Sequence, residues 1–471
     1  MNWHDKKILV LGAGDTGRSV ARWAKRVGAA VRIADSRDHP PGLDEFKLEH
    51  PDVECIAGDW SGKIFDAAIG DAELIVASPG VAVAGPACHP AIARAVAAGK
   101  TIVGDFELFA WQQIKLNEQT GHRSKVIGIT GSNGKSTVTA MVGAMCAAAG
   151  LKTVVAGNIG LPVLDALARV EHNGQPDVYV LELSSFQLEA TSSLQLDAAT
   201  MLNLSQDHLD RYASMDEYAT AKKRIFKHAQ HQVLNREDVA SMVMVDAAKS
   251  FATFGLDFAP TETDFGIVNG KLAEGTTSLM ALNEMPVAGL HNAANALAAF
   301  ALCRAIGCDA APLAEGLRHF TGLPHRLENV GVINGVTFYD DSKGTNVGST
   351  VAALNGMTVP VILIAGGEGK EQDFSPLAEP IRKHAKAVVL IGKDARSIES
   401  AITSARVATT HASSMSNAVE NAYSRASSGD AVLLSPACAS FDMFKNYKHR
   451  GEVFAECVQA LKTRLEATDV V

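Results

Sequence analysis

The chain has 471 residues, 47% hydrophobic and 20% charged, with 43 Lys and Arg against 52 Asp and Glu for a net charge of −9. At about 150 residues per domain the length predicts about three domains, and the composition excludes a mainly disordered chain. The acidic balance argues against sequence-independent nucleic-acid binding, which needs Lys and Arg in excess, but a few local amides and cations suffice for a phosphorylated small molecule.

The amino terminus, MNWHDKKILVLGAG, passes from a charged start straight into a strand-like run without a signal-peptide h-region. No run of about 18 apolar residues follows anywhere, so a cytoplasmic protein without membrane insertion is expected. The run ends in Gly12-Ala13-Gly14-Asp15-Thr16-Gly17, a GxGxxG turn, and Asp35 closes the next run, VRIAD. In form this is a dinucleotide fingerprint, with a diphosphate at the helix start and a ribose near Asp35. The residues alone leave three readings open: NAD, another nucleoside diphosphate, or a tight helix–sheet contact. The polar stretch QQIKLNEQTGHRSK at 112–125 reads as a connector near a first domain boundary.

A second unit opens with KVIGITGSNGKST at 125–137. Between its strand-like run and an Ala-rich helical stretch lies Thr130-Gly131-Ser132-Asn133-Gly134-Lys135-Ser136-Thr137, a phosphate loop. Glycines let backbone amides turn towards an anion, Lys135 can span two phosphates, and the Ser136 hydroxyl can ligate Mg²⁺ at the helix amino terminus. The spacing departs from the usual Walker pattern, because Ile129 stands where that pattern has its first glycine. Gly157-Asn158-Ile159-Gly160 follows, and then VYVLELSSFQLE, where Glu182 ends an apolar run. A carboxylate at a buried strand end beside a phosphate loop is where a further Mg²⁺ ligand belongs. Asp207-His208 reads as a solvated turn. In the helical stretch Tyr218-Ala219-Thr220-Ala221-Lys222, Tyr218 and Lys222 share a face, and Lys222 taken alone is a surface cation. It could serve a metal only after carbamylation, which requires a neutral amine.

Gly and Pro in GLPHRLENV at 322–330 mark a second boundary before the strand-like GVTFYDD. The last third carries three polar clusters after strand-like runs: Tyr339 to Asn346, Gly366 to Lys370, and Ser435 to Asp442. Loops at the carboxyl ends of strands in open α/β sheets share a crevice, so these clusters are expected to face one cleft. The seven cysteines are scattered without a CxxC pair and read as reduced thiols.

Taken together, TGSNGKST, GNIGLP, LELSSFQLE, DHLDRY with YATAKKRI, GLHNAANALAA, GLPHR, DDSKGTNVGST, GGEGK and SPACASFDMFKNY resemble the Mur ligase family, in its order and through nearly the whole chain. ASPGVA at 77–82 and IVGDFELF at 102–109 add to the likeness. The resemblance implies an α/β protein of three domains: a Rossmann-like UDP-sugar domain over 1–105, a central P-loop ATPase-type domain over 106–323, and a Rossmann-like amino-acid-binding domain over 324–471. The LELSSFQLE and SPACASFD segments are most similar to the member that joins D-glutamate to UDP-N-acetylmuramoyl-L-alanine in peptidoglycan precursor synthesis.

By the same resemblance, the fingerprint would hold the diphosphate of UDP rather than NAD. Thr16, Asp35, Ser36, Arg37, Ser78 and Gly80 would line that site, with Asn158 towards the muramoyl side. ATP would be held by Gly131 to Thr137, Asn295, Arg326, Asp341 and Lys343. Two Mg²⁺ ions would engage Ser136, Glu182, His208 and a carbamylated Lys222, chosen over Lys223 because its YxxAKxRI context fits the family. Lys135, Glu182, His208 and Lys222 would form the catalytic set. Thr345, Lys370, Ser440, Phe441 and Tyr447 would hold D-glutamate. The family likeness implies a monomer.

Overall fold

The computed structural model describes residues 3–170, 174–209, 211–287 and 289–468. Among them the strands form three sheets, in the three-part α/β architecture expected. The first contains β1 (Lys7–Leu11), β2 (Ala30–Asp35), β3 (Glu54–Ala57), β4 (Leu74–Ala77) and β5 (Ile102–Val103) in the order β3-β2-β1-β4-β5. Its pairings are all parallel. Sheets covered on both faces need apolar strands, which is why β1 and β4 are near-continuous runs of Val, Ile and Leu. Helix α1 (Asp15–Arg26) starts at the glycine turn and buries Val20, Ala21, Trp23 and Ala24.

Residues 112–120 of the polar stretch expected as a connector are the second half of a helix, α2 (Asp105–Thr120), and only 121–124 form a loop. Its first turns are fully buried through Phe106, Leu108 and Phe109, which belong to one apolar cluster with Val10 and Trp23 on one side and Tyr179 and Leu181 on the other. The local polarity after residue 111 hid this, since only the first half of the helix faces the core.

The second sheet holds β6 (Lys125–Thr130), β7 (Thr153–Gly157), β8 (Val178–Glu182), β9 (Leu196–Met201), β10 (Ala229–Asn235), β11 (Ser250–Phe254), β12 (Phe265–Val268), β13 (Lys271–Glu274) and β14 (Thr277–Ala281). Their order is β14-β13-β12-β11-β10-β9-β6-β8-β7, parallel except for the antiparallel edge β12-β13-β14. Four helices matter to the site: α3 (Lys135–Ala148), α4 (Val163–Ala168), α5 (Met215–Lys223) and α6 (Leu290–Ala305). β6 lies between β8 and β9, so the loop after it opens where the strand order reverses, the usual ligand crevice of such sheets.

The third sheet comprises β15 (Glu328–Ile333), β16 (Val336–Asp340), β17 (Val361–Gly366), β18 (Ala385–Ile391), β19 (Ala408–His411) and β20 (Ala431–Leu434), ordered β15-β16-β20-β17-β18-β19. β15 pairs antiparallel with β16, and the other pairings are parallel. Helix α7 (Val347–Gly356) follows β16, and α8 (Tyr447–Thr468) closes the fold. The seven cysteines are free. Among the described residues no helix is long and apolar enough to cross a membrane.

Candidate active site

The phosphate loop turns because its glycines permit what other residues do not. Gly131 has φ +153° and Gly134 φ +81°, and a Cβ on Gly131 would lie 3.0 Å from Leu202 Cβ. Helix α3 then begins at Lys135, so its first amides point into the loop. Lys135 Nζ donates to the carbonyls of Gly131 and Ser132, both at 2.8 Å. The loop is braced from the segment after β9, where Asn203 Oδ1 accepts from the Asn133 amide at 2.8 Å and Asn203 Nδ2 donates to the Asn133 carbonyl at 3.1 Å.

Glu182 ends β8, in register with Ile129 on one neighbour and Gly157 on the other. It is buried, and Asn158 Nδ2 donates to its Oε1 at 3.0 Å. Its Oε2 has no hydrogen-bond partner among the described residues. A buried carboxylate oxygen left open beside a phosphate loop suits a divalent cation, which takes oxygen ligands.

Lys222 corrects the sequence reading. It is 1% exposed, not a surface cation, because α5 lays its Tyr218 and Lys222 face against the phosphate loop. Lys222 Nζ donates to the Gly131 carbonyl at 2.8 Å and lies 4.7 Å from the Tyr218 ring centroid. Burial, with Lys135 close by, pulls its pKa well below the ordinary lysine value. This favours the neutral amine that carbamylation needs. The Asp207-His208 pair is likewise more than a turn. His208 adopts φ +57°, its ring meets Phe186 edge-on at 4.7 Å between centroids, and Nε2 is 3.6 Å from Asp207 Oδ2. Burial lowers its pKa, leaving the neutral imidazole that a metal binds.

These groups line one cleft of about 340 Å³, shared with loops of the third sheet. From the phosphate-loop side come Ser132 to Ser136, Asn158, Glu182, His208 and Lys222; from the other side come Arg326, Lys343, Thr345, Lys370, Ser440, Phe441 and Tyr447. The basic side chains Lys135, Arg326, Lys343 and Lys370 face the carboxylates of Glu182 and Asp207, an imbalance suited to anions. Arg326 Nη2 reaches across to donate to Ser136 Oγ at 2.8 Å. The Lys343 ammonium sits 4.0 Å from the Tyr447 ring centroid, and burial pulls its pKa to about 8.

A second cleft, of about 380 Å³, runs from the other side of the phosphate loop, where Thr137, Asn295, Asp341 and the apolar Leu202, Phe254 and Leu323 meet Arg326 and Lys343. It joins an apolar wall to a phosphate loop, as a purine nucleotide requires. Asp341 accepts from Ser435 Oγ at 2.7 Å, and burial pushes its carboxyl up to about 7.

Thr16, Asp35, Ser36, Arg37, Ser78 and Gly80 lie at the carboxyl ends of the first sheet and line neither cleft. A Cβ on Gly17 would sit 1.8 Å from the Gly12 carbonyl oxygen, whereas Gly14 faces open space. This is the pattern of a tight turn with room for a diphosphate. Asp35 is already committed: its carboxylate accepts from the Ala13 amide at 2.7 Å and from the Arg37 amide, Nε and Nη2 at 2.7 to 2.9 Å. Burial alone would push Asp35 up, but these partners hold it below its ordinary value. Arg211 connects this region to the cleft, donating to the Pro79 carbonyl at 2.9 Å and stacking 4.1 Å from the Phe186 ring centroid.

Sequence reasoning missed Arg450, which is fully buried on α8 and binds the Ser342 and Cys438 carbonyls at 2.7 and 3.0 Å, fixing two cleft loops together. It also missed Ser349, whose side chain meets the phosphate-loop Asn133 together with that of Asn346 from the polar cluster before α7. Only long-range placement distinguishes these residues. Asp210, within the DHLDRY motif, lies outside the described residues.

The chain is similar to known proteins along nearly its whole length. Residues 6–104 match the model of the Mur ligase MurD-like N-terminal domain, 129–303 the Mur ligase middle domain, and 325–438 the Mur ligase glutamate ligase domain. The UDP-N-acetylmuramoylalanine–D-glutamate ligase of Methylobacillus flagellatus is 53% identical over 98% of both chains. That of Thiobacillus denitrificans is also 53% identical, over 97% of this chain and 96% of its own length. Among solved structures, the UDP-N-acetylmuramate–alanine ligase of Thermotoga maritima shares the fold at TM-score 0.60 and 20% identity, covering 98% of this chain and all of its own. With family models matched across all three sheets and relatives at about half identity over nearly the full length, the chain belongs to the Mur ligase family.

Proposed function

We propose that the chain is an ATP- and Mg²⁺-dependent ligase that joins D-glutamate to UDP-N-acetylmuramoyl-L-alanine in peptidoglycan precursor synthesis. The observation that carries this reading is the single cleft in which Lys135, the half-open carboxylate of Glu182 and the buried Lys222 face Thr345, Lys370 and Ser440. The relatives named for that reaction supply the identity of the amino acid.

A carboxylate is a poor acyl donor because it lacks a good leaving group. In the proposed reaction an oxygen of the L-alanyl carboxylate attacks the γ-phosphorus of ATP, giving an acyl phosphate and ADP. The D-glutamate amine then attacks the acyl carbon, and the tetrahedral intermediate expels inorganic phosphate and leaves the amide. The protein's work is positioning and charge neutralisation as anionic groups converge. Lys135 and the amides of Gly131 to Thr137 hold the phosphates, Arg326 reaches them from the third sheet, and Asn295, Asp341 and Lys343 hold the rest of the nucleotide. Ser136, Glu182, His208 and carbamylated Lys222 are the residues that would hold two Mg²⁺ ions, whose charge offsets that of the phosphates. Lys370 pairs with a carboxylate of D-glutamate, while Thr345, Ser440, Phe441 and Tyr447 complete that pocket. Thr16, Asp35, Ser36, Arg37, Ser78, Gly80 and Asn158 take the UDP-sugar. The reaction transfers no hydride, so it calls for no NAD. We place the protein in the cytoplasm as a monomer, with domains over 1–105, 106–323 and 324–471.

The test is phosphate release from Mg²⁺-ATP and UDP-N-acetylmuramoyl-L-alanine, comparing D-glutamate with L-glutamate, L-lysine, meso-diaminopimelate and no amine. Release that depends on D-glutamate, with the matching product mass, is expected. Release with another amine moves the specificity, and none from a folded, ATP-binding protein ends the reading. Lys135→Ala is expected to abolish turnover with the fold intact. Protein equilibrated with ¹³C-labelled bicarbonate should show a carbamate resonance that Lys222→Arg lacks.

A further inference from the structure

The amino-acid end of the cleft is assembled from three loops distant in sequence, following β16, β17 and β20. They carry Thr345, Lys370 and Ser440 respectively, and Gln372 touches the backbone of all three segments. Its Oε1 accepts from the Val347 amide at 3.0 Å, an orphan donor in the first turn of α7. Its Nε2 donates to the Gly369 carbonyl and to the Ala437 carbonyl, both at 2.9 Å. Both donors and one acceptor position of the amide are thereby engaged with backbone.

The backbone it grips is of an uncommon kind. Lys370 and Glu371 have φ +51° and +59°, and Ala437 has φ +58°. Side-chain-bearing residues seldom adopt this left-handed region and stay there only when their surroundings hold them. Gly369 is fixed from its other side as well, its amide donating to Asp394 Oδ2 at 2.7 Å. Gln372 also lines the cleft beside Lys370.

We propose that Gln372 is a positioning residue that sets the mutual placement of Thr345, Lys370 and Ser440 and so governs amino-acid binding. This rests on the reading of these loops as the amino-acid pocket. Gln372 acts through backbone and leaves substrate contact to its neighbours. Two substitutions separate its functions. Gln372→Met keeps the length and loses all three hydrogen bonds. Gln372→Glu keeps the acceptor for Val347 but turns a carboxylate oxygen against the carbonyls of Gly369 and Ala437.

Amide hydrogen exchange on the ligand-free full chain reads the brace whatever the cleft binds. Gln372→Met is expected to speed exchange at Val347 at least tenfold, and Gln372→Glu to leave it protected; unchanged exchange in Gln372→Met overturns the proposal. Steady-state kinetics read the consequence. Both variants are expected to raise the KM for D-glutamate at least tenfold, with the KM values for ATP and the UDP-substrate changed less than twofold. An equal rise in all three, or a fall in kcat alone, also overturns it. A wild-type chain without D-glutamate-dependent turnover defeats the reading of the pocket, and the exchange result still decides the brace.

Discussion

The two boundaries between the three sheets are built from different materials. At the first, α2 drives Phe106 and Phe109 into a cluster continuous from Val10 and Trp23 to Tyr179 and Leu181, and Phe109 meets Tyr179 edge-on at 5.2 Å. Arg22 pairs with Asp165 of α4, and the buried Glu107 accepts from the Ser192 and Ser193 amides at 2.6 and 3.0 Å. At the second boundary the apolar clusters stop on each side: that of α3 and α6 runs to Leu323, and those of the third sheet begin at Leu327. The side-chain hydrogen bonds that cross there include Arg326 to Ser136, Asn346 to Asn133 and Asp207, and Ser349 to Asn133. Apolar burial is undirected and strong in aggregate, whereas exchangeable hydrogen bonds contribute little net stability. The first two sheets are therefore expected to move as one body, and the third to open and close over the phosphate loop. That arrangement suits substrates divided among three regions and an intermediate that water must not reach.

The largest effect expected is at the apolar boundary. Phe106 is fully buried, and its ring would lie 3.1 Å from a Cβ on Gly157. Phe106→Ala should cost about 3 to 5 kcal/mol through lost burial and the cavity left behind. Denaturant unfolding should show the first two sheets melting together at lower denaturant. A first sheet that unfolds separately while the second keeps its wild-type midpoint would break the comparison.

The next effect concerns a charge at the polar boundary. Burial raises the Asp341 carboxyl from 3.8 to about 7, so its contribution to stability is complete below about pH 4 and is lost as pH rises through 7. The ceiling is about 4 kcal/mol for the single group. Asp341→Asn should remove this slope, so that its stability relative to wild type rises between pH 4 and 7.5. Asp105, pushed up to about 6 at the other boundary, titrates in both proteins and cancels in the difference. Lys343, lowered to about 8, acts in the opposite sense and above that window. A difference in unfolding free energy that stays flat with pH would place Asp341 in a wetter setting than the structure does.

What could be read from the sequence follows the range of the interactions. The glycine turn, the phosphate loop and Glu182 were legible because each is a local event: an apolar strand, then glycines or a carboxylate at its end. The parallel sheets were legible for the same reason. The antiparallel edge β12-β13-β14 and the strand β15 were not, because their short runs carry no periodicity that separates them from loop. Lys222 shows the limit most clearly. In the helix MDEYATAKK it has the composition of a solvated face, and only the packing of α5 on the phosphate loop buries it. Gln372 and Arg450 act on backbone carbonyls brought near by the fold, and no local pattern announces that.

The smallest effect on stability is the most informative about closure. Asn346 caps α7 through Oδ1, which accepts from the Ser349 amide at 2.9 Å, while Nδ2 donates to Asn133 Oδ1 at 3.2 Å and Asp207 Oδ2 at 3.3 Å. Asn346→Asp keeps the cap and adds an anion favourable at a helix amino terminus. It also replaces the amide donor with an oxygen facing the Asp207 carboxylate. The helix is preserved and the boundary is repelled, so global stability should change by only about 1 kcal/mol. The radius of gyration of the ligand-free chain from solution scattering should increase, and kcat/KM for the amino acid should fall about tenfold, equivalent to about 1.4 kcal/mol. Phe106→Ala, measured alongside under conditions where it stays folded, should leave the scattering unchanged. If Asn346→Asp scatters and turns over as wild type does, the polar contacts do not control closure, and the difference between the two boundaries is one of composition alone.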